Sequence, residues 1–159
     1  MSAQGIGYAA AVVLACAFAL AAVSKLRDLR GTLADFTALG VPSPRLFAQV
    51  MPLAELAITA LLLIVPAVGG IAALITLAFF TVFLASRLRA GVHAPCACFG
   101  SMSVHPLSRV DLVRNVGLAL LAAAALMPTR PGGVHLIDGV VVGIAVALGL
   151  ATLRLLRAR

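Results

Sequence analysis

Long stretches of the chain carry no charge, and the polar positions fall between them in short bursts. Five apolar runs stand out: Ile6 to Val23, Leu46 to Val65, Val68 to Ser86, Val110 to Met127 and Leu136 to Leu153. Each lies near the length of about 20 residues that a helix needs to cross roughly 30 Å of hydrocarbon. Only Pro66 and Ala67 separate the second run from the third, which predicts a tight antiparallel hairpin. The fourth is the weakest, because Asp111, Arg114 and Asn115 fall in its first turns and its purely apolar part is Val116 to Met127. Those polar groups are expected to face protein or water and not lipid.

Between the first two runs, Leu29, Leu33, Phe36 and then Leu39 or Val41 recur at near-helical spacing. The pattern predicts a short interfacial helix that stops at Gly40, with Pro42 and Pro44 preventing its continuation. In the last run, Gly139 and Gly143 form a small-xxx-small face, a weak signal for close helix contact. The expected architecture is an all-α integral membrane bundle of four to five spans with a short interfacial helix, forming one domain over residues 1–159.

Composition agrees. The 159 residues are 63% hydrophobic and 11% charged, with a mean hydropathy of +1.16, whereas soluble chains are about 45–50% apolar and about 25% charged. The expected solvent is the lipid bilayer. The formal charge of +7 would raise the question of nucleic acid in a soluble protein. Here the basic residues flank the apolar runs, and with no Trp and a single Tyr8 there is no platform for stacking bases, so no nucleic acid is expected.

Charge also predicts orientation. With the amino terminus outside, Lys25, Arg27, Arg30, Arg45, Arg87, Arg89, Arg109, Arg114, Arg154, Arg157 and Arg159 fall on the cytoplasmic side, and Arg130 alone falls outside. That asymmetry predicts a multi-pass plasma-membrane (inner-membrane) protein with its carboxyl terminus in the cytoplasm. Ala19, Leu20 and Ala21 have the look of a signal-peptide cleavage site, but no basic residue precedes the first run, which favours a retained span.

Candidate chemistry concentrates between the third and fourth runs, where Cys96 and Cys98 are the only closely spaced cysteines. In a helix, residues two apart point about 200° from one another, so a pair acting together needs a non-helical segment. Pro95 biases Ala94 away from helix and Gly100 can supply a positive-φ turn. A disulfide between them would be strained and easily reduced, which suits exchange better than scaffolding. Ser108 and Asp111 resemble a capping box opening the fourth helix, whose positive end, with Arg109 or Arg114, would stabilise a thiolate. A second chemistry uses His93, Cys96, Cys98, Met102 and His105, soft donors suited to copper(I) or zinc in a small transporter or membrane metal-handling protein. A third makes the chain a structural subunit of a larger complex. Cys16 reads as an ordinary packing residue.

Glu55 is the one acidic residue deep within an apolar span, about 13 Å along the helix from Leu46. It either pairs with a basic residue, Lys25 being a candidate, to fix the bundle, or handles a proton or substrate. Pro52, one turn earlier, loosens the helix there.

Several of these residues together resemble the MauE/DoxX-like redox-associated membrane proteins: Ser24-Lys25-Leu26-Arg27-Asp28, Gly40-Val41-Pro42, Pro52 with Glu55, Cys96-Ala97-Cys98-Phe99-Gly100, and Arg114-Asn115. The match covers roughly residues 6–127, leaving 136–153 as an additional carboxyl-terminal span. It implies a DoxX-like bundle and thiol redox chemistry, with Cys96 and Cys98 as the redox pair and Glu55, Lys25, Arg114, Asn115 and Gly100 in support. It also implies a thioredoxin-like partner and a link to maturation of methylamine dehydrogenase, whose disulfides form in a partner subunit. No cofactor is indicated beyond an apolar cavity that would admit a quinone. The charge count puts the cysteine segment on the cytoplasmic side, whereas oxidative folding happens outside. Either the segment re-enters the bundle, or electrons pass inward from cytoplasmic thioredoxin.

Overall fold

The computed structural model describes residues 3–92, 94 and 106–127, so the cysteine segment around Cys96 and Cys98 and the run from Leu136 to Leu153 lie outside the described residues. The described chain is all helical: α1 (Ala3–Arg27), α2 (Leu29–Ala38), α3 (Pro44–Ile64), α4 (Pro66–Arg89) and α5 (Arg109–Ala124). Three of these, α1, α3 and α4, are long and apolar enough to cross a membrane. At 16 residues α5 reaches only about 24 Å, short of the hydrocarbon thickness.

The first three long runs and the short helix between the first two form where the pattern places them, with two adjustments made by proline. Pro44 does not merely block α2; it opens α3. Pro66 likewise starts α4, so a single residue, Val65, breaks the chain between α3 and α4. Both adjustments come from the missing N–H of proline, which the first turn of a helix has no use for, and from its preset φ. The hairpin closes tightly because Gly69 sits against the backbone of Leu62; a Cβ there would lie 2.4 Å from the Leu62 nitrogen. At the other end α2 stops at Gly40, whose φ of +70° suits glycine. Asp28 caps α2, its Oδ1 accepting from the Gly31 N–H at 2.8 Å.

The helices close a ring in which α1 packs on α3, α3 on α4, α4 on α5 and α5 on α1, while α2 lies across the end against α3 and α1. The interior mixes small and large side chains: Ala11, Ala15, Ala73, Ala122 and Ala125 are buried with Leu14, Phe18, Ile58, Leu62 and Leu77. Many other bulky apolar residues point outward. On α4, Val68, Ile71, Ile75, Phe79 and Val82 succeed one another at helical spacing and are all exposed. Lipid favours this outer face, because hydrocarbon solvates Leu and Val, while the alanines allow the helices to pack closely.

A second cluster caps the bundle at the α2 end, where Phe36 and Leu39 meet Ala48, Met51, Leu84, Ala94 and Leu107. Here the Leu107 N–H donates to the Ala94 carbonyl at 2.8 Å. Both flanks of residues 95–106 are thereby joined to each other and anchored in a core.

Candidate functional site

Polar groups inside an apolar bundle must be satisfied by one another. Lys25, near the last turn of α1, and Glu55, midway along α3, do this across the α1 and α3 interface, with Lys25 Nζ donating to Glu55 Oε1 at 2.6 Å. Their side chains are 1% and 8% exposed. Among the described residues, the other carboxylate oxygen, Glu55 Oε2, is buried with no hydrogen-bond partner, and so is Asn115 Nδ2 on α5. Glu55, Lys25 and Asn115 line one cleft of about 40 Å³, together with Ala17, Phe18 and Ala21 of α1, Thr76, Leu77 and Phe80 of α4, and Leu118.

Sequence reasoning offers Lys25 as a partner for Glu55 and singles out Asn115 apart from them; the fold forms that pair and brings all three to one cleft. It does not single out Phe18, Thr76 or Phe80, whose apolar or weakly polar character is ordinary in a span. Phe80 also borders a wholly apolar pocket of about 130 Å³ formed with Phe36, Val41, Pro42, Phe47, Phe79 and Phe83, so it stands as the wall between the two.

The start of α5 is organised as the Ser108 and Asp111 pattern suggests. Asp111 reaches back so that the Ser108 N–H and hydroxyl donate to its Oδ2 at 2.9 and 3.1 Å. Its Oδ1 holds Arg114 at 3.3 Å, one turn on. Arg114 therefore faces protein, half-buried, while Asn115 is buried in the cleft. Cys96, Cys98 and Gly100, and the alternative metal set with His93, Met102 and His105, lie outside the described residues. Among the described residues no group of three His, Cys, Asp or Glu is gathered for a metal. Cys16 is half-buried within α1.

The basic residues share one end of the bundle. Lys25 and Arg27 end α1, Arg30 lies on α2, Arg45 begins α3, Arg87 and Arg89 end α4, and Arg109 and Arg114 belong to the start of α5. The opposite end, made by the start of α1, the turn at Val65 and the end of α5, has no Lys or Arg among the described residues. Arg87 ties this basic end together, with Nη2 donating to the Gly40 carbonyl at 3.0 Å and the guanidinium 5.0 Å above the Phe83 ring. Asp35 on α2 belongs to the same end; partial burial, and secondarily the nearby charge of Asp28, push its carboxyl above the usual range.

The family model of the methylamine utilisation protein MauE matches residues 3–128. Methylamine utilization protein MauE of Paracoccus denitrificans is 33% identical over 124 residues, covering 74% of this chain and 66% of the relative. Its counterpart from Paracoccus versutus is 36% identical over 129 residues, covering 76% and 69%. The match thus spans about two thirds of the length of these curated relatives. No solved structure matches significantly. With the family model matched from one end of the described bundle to the other, the chain belongs to the MauE family of methylamine utilisation proteins.

Proposed function

We propose that this chain is a multi-pass plasma-membrane protein that fills a MauE-like role in methylamine utilisation by passing electrons through Cys96 and Cys98. The thiolate of one cysteine attacks a disulfide of a thioredoxin-like partner to give a mixed disulfide. The second cysteine then displaces the partner's thiolate. The partner gains two electrons and, with protons from solvent, becomes a dithiol, while the chain is left with a disulfide. Two thiols of a maturing protein such as methylamine dehydrogenase then give two electrons to the chain's disulfide by the same kind of exchange, so that Cys96 and Cys98 return to the dithiol and the disulfide passes from the partner to the maturing protein. The scaffold is a DoxX-like bundle of four to five spans with the basic end in the cytoplasm.

One observation supports the reading: in a MauE family member, the Cys-x-Cys element lies in sequence between Ala94 and Leu107, which are hydrogen-bonded to each other just ahead of the capped start of α5. A helix start and nearby arginines favour a thiolate.

The test is thiol trapping in intact cells with a bulky maleimide, before and after reductant, using Cys16, Cys96 and Cys98 variants to assign each shift. Masking of Cys96 and Cys98 until reductant is added is the expected result. Free labelling of all three cysteines overturns it, as does stoichiometric copper(I) or zinc in the purified protein with the pair reduced, which points to metal handling. Normal methylamine growth of a Cys96→Ala, Cys98→Ala double variant leaves only a structural role.

A further inference from the structure

We infer that the cleft between α1, α4 and α5 is an internal water site through which Glu55 exchanges protons. Two buried groups there have unmet and opposite needs: Glu55 Oε2 requires a donor and Asn115 Nδ2 requires an acceptor. The residues are 6% and 2% exposed. Leaving either group unsatisfied in the interior is unfavourable, more so for the carboxylate. A hydroxyl placed between them meets both, accepting from Asn115 and donating to Glu55.

Volume decides which hydroxyl. The cleft offers about 40 Å³ of accessible space, and one water needs roughly 10–15 Å³. Water fits. Thr76 adds a further acceptor at the wall, its own hydroxyl proton being given to the Ala72 carbonyl at 2.9 Å. A water held by three polar side chains is an ordinary buried water.

This water has a chemical use because of what lies on the far side of the carboxylate. Lys25 occupies Oε1, so a proton arriving on water forms its O–H bond at Oε2 and returns to water on release. Among the described residues, Lys25 from α1 is the one charged group lining the cleft with Glu55; α4 contributes Thr76, Leu77 and Phe80, and α5 contributes Asn115 and Leu118. A dithiol that becomes a disulfide gives up two protons with its two electrons. The site thus deepens the proposed thiol chemistry by giving those protons a station inside the bundle, and it rests on that reading for this use alone.

Infrared spectra of the purified full chain in lipid nanodiscs, recorded across acid pH on mixing from H2O into D2O, test it. Glu55→Gln identifies the Glu55 carboxyl band. The band is expected to appear and to exchange within the mixing time in the unaltered chain, and to exchange roughly tenfold or more slowly in Asn115→Leu and in Leu118→Trp, which plugs the cleft but keeps both polar groups. Circular dichroism checks that each variant remains helical. A Glu55 carboxyl band that never appears, or one that exchanges at the unaltered rate in both helical variants, overturns the inference. The Cys96→Ala, Cys98→Ala chain is expected to exchange like the unaltered one, which separates this outcome from failure of the thiol reading.

Discussion

Lys25 and Glu55 are thirty positions apart in the chain and 2.6 Å apart in the bundle, and this bond is the polar tie across the α1 and α3 interface. Removing one partner strands the other in a low-dielectric interior, whereas removing both leaves an apolar contact. Lys25→Met is therefore expected to destabilise the bundle by about 3–5 kcal/mol, and Lys25→Met with Glu55→Leu to recover most of that loss. Unfolding in mild detergent, run as a double-mutant cycle, measures both. Equal damage from the single and the double change would show that the pair contributes more than mutual neutralisation.

Gly69 permits the hairpin between α3 and α4. A Cβ at this position would press on the Leu62 backbone, which cannot swing aside as a side chain can. Gly69→Val is expected to destabilise by about 2 kcal/mol or more through overpacking, while Gly117→Ala on α5, where a Cβ meets nothing within 4 Å, is expected to be neutral or slightly stabilising. Thermal unfolding of the two variants side by side checks the contrast.

Asp35 predicts the sign of a pH effect. Its folded carboxyl holds its proton above the ordinary value of 3.8 because burial, then Asp28, disfavours the charge. The folded state therefore binds the proton more tightly than the unfolded chain. No penalty exists below the ordinary value, and stability falls as pH rises from there through the raised folded value. Asp35→Asn is expected to flatten this decline, seen as a smaller drop in melting temperature across that window. An unchanged profile would assign the decline to other groups.

Orientation is testable at the basic end. A cysteine replacing Arg30 on α2, in a chain lacking its native cysteines, is expected to resist an impermeant maleimide in intact cells and to label in inverted vesicles. The reverse pattern would place this end outside and relocate the proposed thiol chemistry with it.

Much of the scaffold is legible in the sequence because membrane spans are written as composition: Leu46 to Val65 and Val68 to Ser86 predict α3 and α4 to within a few residues. The exceptions are Pro44 and Pro66, which read as breaks although they begin helices, since a proline bars the helix before it and suits the one after it. The polar pairing is partly legible, because a lone Glu55 in an apolar run demands a partner and Lys25 is within reach. The convergence of Asn115 with that pair is not. It depends on how α5 rotates against α1 and α4, which is set by the packing of Ala122 and Ala125 in one core with Ala11 and Ala73 and leaves no local mark.

The Leu107 to Ala94 hydrogen bond sets the terms on which the residues between them can change. Because both ends of that stretch meet at one anchored point, its length is decoupled from the register of α4 and α5. Lengthening a loop between fixed ends costs only about 0.6 kcal/mol per doubling. Ala94 and Leu107 stay joined whatever length of chain connects them, so the end of α4 and the start of α5 keep their places.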